Sequence, residues 1–273
     1  MDGLPNTAEV ALADAIRLAG SLGFEASLAR FLRRSIACNN VVFIVYRGSE
    51  TPRILYSQAD DPIVFKDLYR VYVPGAYLLD PYHDLHLNRI SPGAYRLLDI
   101  APDQFQRSQY YLDYYRQTTL IDELTFVSYP DDDSTLNICL GRDASAPRPF
   151  GTDAREIAVR IAPVVTALTD RHLRDFAATP APAAGPALPQ ADEPADRLQR
   201  VLAESHAIRL SRRQAQVALL ILQGHSSVSI GLRLGVSAQT VKVFRRQIYA
   251  RCRISSQAEL FALLLPLLIG ESA

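Results

Sequence analysis

The apolar period of the chain changes several times along its length. Thr7 to Ala19 and Phe24 to Ala37 repeat apolar residues at helical spacing and break at Ser21-Leu22-Gly23, which predicts two amphipathic helices. Val41 to Tyr46 is a β-branched and aromatic run that predicts a central strand, paired with Arg53 to Ser57 across a turn at Arg47 to Pro52. Asp61-Pro62 opens a predicted helix to about Val71, and Pro74-Gly75 interrupts it. A polar stretch with Pro and Gly follows to Gly93, and Asp103 to Thr118 predicts an aromatic-rich helix. Asp122 to Tyr129 and Ser134 to Leu140 predict a hairpin about Asp131-Asp132-Asp133. Phe150 to Phe176 predicts a long helix with Thr152 as N-cap. Helices, paired strands, helices, strands and a helix in that order predict an α+β domain, an antiparallel sheet covered by helices.

The period then disappears. Ala177 to Ala195 is rich in Ala and Pro with no apolar repeat, which predicts a semi-stiff solvated linker. It divides the chain into 1–176, the linker 177–195, and 196–273. Beyond a helix from Ala195 to His206, Ser227 to Leu234 predicts a short helix with Ile230 and Leu234 on one face. Gly235 supplies the turn, Val236 plugs the corner, and Ser237 N-caps a second helix to about Arg251. On that helix Val241, Phe244, Ile248 and Cys252 form an apolar back, while Gln239, Lys242, Val243 and Arg246 face the other way. Arg245 lies on the flank, and Arg251 near the end. An apolar back, a basic front and an amide near the first turn suit a helix entering a major groove.

Several motifs in register carry a family resemblance. Leu210-Ser211, Arg213-Gln214, Gln216-Val217, Gly224, Ser226, Ile230, Leu234, Val236-Ser237, Thr240-Val241-Lys242 and Ala258-Glu259-Leu260 resemble the LuxR-type DNA-binding domain. The resemblance implies an all-α, four-helix C-terminal helix-turn-helix domain. It implies double-stranded DNA as partner, with RNA polymerase as a further candidate. Ser237, Gln239, Thr240, Lys242, Val243, Arg245, Arg246 and Arg251 are the expected DNA contacts, Gln239 and Val243 reading bases. Gln214, Gln216, Val228, Phe244 and Gln257 depart from the family's usual residues. The helix from Ser256 to about Leu268 carries Leu260, Phe261, Leu264, Leu265 and Leu268, more than a three-helix core needs. By the resemblance it helps pair two copies of the module on a roughly palindromic site.

Charge changes this picture little but sharpens it. The chain is formally neutral, yet residues 196–273 carry 11 Lys and Arg against 4 Asp and Glu, leaving 18 against 25 in residues 1–195. A basic module beside an acidic one suits a nucleic-acid binder whose other half does something else. Cys38, Cys139 and Cys252 are far apart and odd in number, which fits a reducing compartment without disulfides. With no signal-like N-terminus and no apolar run long enough to span a bilayer, a cytoplasmic protein without membrane partners is expected.

The N-terminal half offers a candidate sensor. Seven of the 13 tyrosines fall at Tyr69, Tyr72, Tyr77, Tyr110, Tyr111, Tyr114 and Tyr115, and Asp80 precedes Pro81. Phenol rings give apolar walls with an orienting hydroxyl, and a carboxylate anchors an amide or ammonium. Tyr69, Tyr72, Tyr77, Asp80, Tyr111 and Tyr115 are the expected pocket, with Asp122 or Glu123 as further cation partners. The Tyr and Asp-Pro segment is similar to the pocket of LuxR-type autoinducer receptors, and the domain to GAF- and PAS-like sensors. That implies quorum sensing, with the Asp holding the signal's amide. The chain contains no Trp, so the family's lactone-contacting tryptophan is absent. An amine or amino acid-like ligand therefore stands beside an acyl-homoserine lactone-like one.

Three alternatives remain open. The domain could dimerise or bind a protein without any ligand. A phospho-receiver would need an acidic pair after a first strand, an Asp ending a third strand and a late Lys, whereas here the chain begins with helices, its only early Lys is Lys66, and Asp131 to Asp133 fall in a turn. An enzyme would have to use His83 and His86 with Asp80 and Asp84 around a metal, but no phosphate loop, nucleophile elbow or Cys-His pairing accompanies them. No cofactor and no catalysis are expected.

Overall fold

A computed structural model describes residues 6–177 and 193–269. The predicted linker therefore lies, apart from its ends, outside the described residues. The chain forms two compact units. Among the described residues, the first takes those up to Phe65, Leu85–Ile100, and those from Thr119 to Ala177. The second joins Lys66–Asp84 and Ala101–Thr118 to the described residues from 193 onward.

The first unit is built on a five-stranded antiparallel sheet in the order β2-β1-β5-β4-β3. Its strands are β1 (Asn40–Arg47), β2 (Arg53–Ala59), β3 (Gly93–Arg96), β4 (Leu120–Ser128) and β5 (Ser134–Asp143). Strands alternate their side chains, so Val41, Phe43, Leu124, Phe126, Leu136, Ile138 and Leu140 share one face. Against it pack α1 (Asn6–Leu18), α2 (Phe24–Ser35) and α5 (Thr152–Ala177), through Ala8, Ala11, Leu28, Phe31, Ile161 and Val165. This is the α+β architecture that the apolar pattern predicts. The short edge strand β3 was not expected, because four residues without an apolar run carry no strand signal; its pairing to β4 defines it.

Three further expectations need correction. The helix expected from Asp61 is instead a 3-10 turn at Pro62–Phe65 and a π-helical turn at Leu68–Tyr72. The helix expected over Asp103 to Thr118 is likewise split into Phe105–Arg107, a wide π turn at Tyr110–Tyr114, and Tyr115–Thr118. Tyr110, Tyr114 and Tyr115 are all buried, with ring pairs 110–114 and 111–115 each stacked at 5.4 Å. The polar stretch before Gly93 holds an α-helix, α3 (Pro81–Asn88), because proline at a first helical position starts a helix rather than breaking it. A one-turn helix, α4 (Leu97–Ile100), follows β3.

In the second unit, α6 (Pro194–His206), α7 (Arg212–Gln223), α8 (Ser227–Leu234), α9 (Ala238–Cys252) and α10 (Gln257–Ile269) form an all-α module. Each junction is written locally. Ser211 and Gln214 form a reciprocal capping box on α7, Ser226 caps α8, and Ser237 caps α9 by accepting from Thr240 N–H at 3.0 Å. Gly235 ends α8 at φ 65°, the left-handed turn that the sequence required there. Leu260, Phe261, Leu264, Leu267 and Leu268 of α10 are buried within the unit. α10 packs on α6, on α7 and on a 3-10 turn at Ala76–Leu79, so its surplus of leucines is already used inside one copy. Gly75 allows this approach, since a Cβ there would lie 2.2 Å from the Leu268 carbonyl oxygen. No single helix among the described residues is long and apolar enough to cross a membrane.

Candidate nucleic-acid interface and tyrosine cluster

The capped, two-helix corner of α8 and α9 sets one face of α9 outward. Val241, Ile248 and Cys252 are buried, while Gln239, Lys242, Val243 and Arg246 are exposed together on the opposite face. Ser237 and Thr240 stand at the start of α9 with their hydroxyls 2.8 Å apart. The structure draws the other two nominated residues aside. Arg245 donates to the Tyr249 hydroxyl at 3.1 Å and to Gln257 Oε1 at 3.0 Å, which lays it along the flank. Arg251 donates to the Arg209 carbonyl at 3.0 Å and to Gln214 Oε1 at 2.6 Å, an internal brace at the end of α9. Gln214 is buried and also donates to Gln247 Oε1 at 2.9 Å. A neutral amide at position 214 thus accepts from the arginine and donates to the glutamine at once, which a carboxylate could not do.

Asp80 lies in the second unit, buried, as the N-cap of α3. Its Oδ1 accepts the Tyr82 N–H at 2.8 Å, and the hydroxyls of Tyr72 and Tyr110 hydrogen-bond the same carboxylate. Tyr72 and Tyr110 each stack on Tyr114, at 6.2 and 5.4 Å. The residues gathered at Asp80 are therefore Tyr72, Tyr110 and Tyr114. The nominated Tyr111 and Tyr115 stack on each other and meet Phe105 edge-on instead, at 5.4 and 5.8 Å. Tyr77 is buried edge-on against His83 at 5.0 Å, and Tyr69 is 66% exposed. The missed partners were legible only as members of the same tyrosine run, because nothing local says which pair turns inward.

Asp122 and Glu123 belong to the first unit. Asp122 is fully enclosed, paired to Arg96 at 2.9 Å and accepting the Phe150 N–H at 3.0 Å. It ties β3 to β4 and to the start of α5. The His83 and His86 pair divides similarly. His86 Nε2 donates to the Gly48 carbonyl at 2.8 Å, so its Nδ1 accepts from the Thr135 hydroxyl at 2.7 Å. With both nitrogens engaged, and burial holding its pKa below the usual value, His86 is a neutral structural residue. Among the described residues no three His, Cys, Asp or Glu side chains are grouped to hold a metal. A shallow cleft in the first unit, lined by Tyr95, Arg96, Asp99, Leu124, Arg155 and Val159, contains none of the nominated residues.

Burial pushes the Asp80 carboxyl up to about 6, against the lowering effect of its tyrosine hydrogen bonds. The folded state then holds a proton that the unfolded chain releases near pH 4. Stability contributed by this group is full at low pH and is lost as pH rises to about 6. Asp80→Asn should flatten that stretch of the stability profile and leave the protein more stable at pH 7. An unchanged profile in urea titrations from pH 4 to 7 would show that Asp80 titrates normally.

Residues 209–264 match the model of the bacterial regulatory proteins, luxR family. A protein of Aeromonas salmonicida, from the exeN 3′ region and classed by inference as an HTH-type transcriptional regulator, is 27% identical over 190 residues, 70% of this chain and 95% of that protein. The crystal structure of the VqsR LBD domain from Pseudomonas aeruginosa superposes with a TM-score of 0.52 at 24% identity, covering 63% of this chain and 99% of that one. It shows that the α+β fold occurs in that domain. Escherichia coli SdiA aligns over 98% of this chain and 93% of its own at 14% identity, with a TM-score of 0.33, too low to equate the shapes.

Proposed function

Starting from a C-terminal helix-turn-helix domain of the luxR family, we propose that this protein is a transcription regulator that binds a palindromic duplex as a dimer and answers to a small molecule held at the Asp80 cluster. Binding rather than catalysis is its output. The observation that carries the DNA reading is the exposed front of α9, with Gln239, Lys242, Val243 and Arg246 clear of the core. In this reading Gln239 and Val243 meet base edges, Val243 offering an apolar contact to a thymine methyl. Two copies follow from the few base pairs one helix can read. Lys242→Ala should weaken binding to all duplexes alike and reduce the salt slope by about one unit. An unchanged slope would remove Lys242 from the phosphate contacts.

The ligand reading rests on a buried carboxylate walled by tyrosines. An amine, an amino acid-like molecule or the amide of an acyl-homoserine lactone-like signal would replace the Tyr72 or Tyr110 hydroxyl as donor to Asp80. Thermal shift of the full chain against such compounds tests it, since saturation at a hundredfold over Kd adds about 2.7 kcal/mol. A hit lost in Asp80→Ala supports the reading. For a cationic ligand, affinity should rise as pH passes upward through about 6, where Asp80 ionises. One observation favours a second reading, a domain that only dimerises or binds protein. Asp80 already receives donors from Tyr72, Tyr82 and Tyr110 of its own chain. Silence across the ligand panel would favour that reading and leave the DNA assignment intact.

A further inference from the structure

The start of α7 and the second half of α9 meet through one buried amide, Gln214, whose polarity is fixed by its neighbours. The Ser211 backbone N–H donates to Gln214 Oε1 at 3.0 Å within the capping box. Arg251 Nη1 donates to the same oxygen at 2.6 Å. A backbone N–H and a guanidinium can only donate, so the atom they meet must be the carbonyl end. The amino end, Gln214 Nε2, then faces Gln247 at 2.9 Å, and the atom that accepts from it must be Gln247 Oε1. One assignment forces the next, from the α7 cap to the side chain of Gln247.

Gln247 is exposed, and its Oε1 is turned back to Gln214. The end left outward is the amino group, which carries two hydrogens and accepts nothing. Gln239, Val243 and Gln247 follow one another at four-residue spacing, along the strip that the DNA reading gives to base contact. A free glutamine pairs with adenine N6 and N7 through one acceptor and one donor. Gln247 held in this way cannot, because its acceptor is already used. It suits instead a group that only accepts, which on a duplex is the O6 and N7 edge of guanine or a phosphate oxygen.

We propose that Gln247 is a further DNA contact, a donor-only amide that meets a hydrogen-bond acceptor of the duplex, and that Gln214 sets its polarity. Gln214 is then a positioning residue, acting on the duplex through Gln247. The inference rests on the DNA-binding reading above and adds a residue to it.

The test uses the full chain and duplexes that the wild type selects from a random-sequence library. Gln247 is exposed, so Gln247→Ala should leave the fold intact and weaken binding about three- to tenfold, the range for one hydrogen bond. Gln214→Glu keeps an acceptor for Ser211 and Arg251 but has no hydrogen to give Gln247. The Gln247 amide then turns over, donating to the new carboxylate and presenting its oxygen outward. Gln214→Glu should therefore weaken binding at least as much as Gln247→Ala. In the Gln247→Ala background the same change should cost at least about threefold less, because only its added charge is left to act. A contact to guanine predicts that Gln247→Ala loses a guanine preference at one position of the selected site. A contact to phosphate predicts equal weakening on every duplex, with an unchanged salt slope because Gln247 carries no charge. Wild-type affinity in Gln247→Ala, an equal cost of Gln214→Glu in both backgrounds, or loss of an adenine preference would overturn the inference. Failure of the wild type to bind any duplex would instead sink the DNA-binding reading itself, and this inference with it.

Discussion

Asp122→Ala should lower stability by about 3–5 kcal/mol, the usual cost of removing one partner from a buried ion pair. The Asp122 side chain is fully enclosed and holds the Arg96 guanidinium at 2.9 Å. The same carboxylate accepts the Phe150 N–H at 3.0 Å, so its loss strips the acceptor from a buried backbone donor as well. Arg96 keeps 21% of its side-chain exposure, so water relieves part of the cost and the effect belongs at the lower end. Asp122→Asn, which keeps an acceptor but not the charge, should recover some of it. Urea midpoints with unchanged m-values would measure both. A loss below about 1 kcal/mol for alanine would mean that the pair behaves as a surface bridge.

Leu222→Ala should cost about 2–5 kcal/mol, because the site loses its apolar surface and leaves a cavity. Leu222 is fully buried on α7, the helix that packs against α6, α9 and α10. Leu222 is not itself a nominated DNA contact, yet α7 packs on α9 and helps to fix it in place. Duplex affinity should therefore fall only as far as the unfolded fraction grows, and recover when stability is restored at lower temperature or urea. A large affinity loss in fully folded Leu222→Ala would show that α9 shifts without unfolding.

Local chemistry explains what could be read beforehand. Gly235 and Ser237 are capping residues, and α8 ends and α9 begins where those residues say. The run from Val41 to Tyr46 named β1 for the same reason, since β-branched residues at a buried pleat leave little else. Asp80 was also legible, as a carboxylate before a proline.

What stayed hidden is non-local. Nothing near Asp122 announces Arg96, so the sequence offered it as a ligand anchor when the fold uses it as a strut. Tyr110 and Tyr111 are chemically alike, and only the tertiary fold decides that Tyr110 meets Asp80. Gly224 and Phe105 are far apart in the chain, yet they bring the segment 101–118 onto the helix-turn-helix corner. The leucines of α10 looked surplus because their cover, α6 and the turn at Ala76–Leu79, is distant in the chain.

The most direct test of the account is the salt dependence of duplex binding by the full chain, wild type beside Lys242→Ala with Arg246→Ala. Log affinity should fall linearly with log salt, and the double variant should lose about two units of slope while binding more weakly. Salt-independent binding, or a slope untouched by the two substitutions, would contradict the claim that α9 faces DNA.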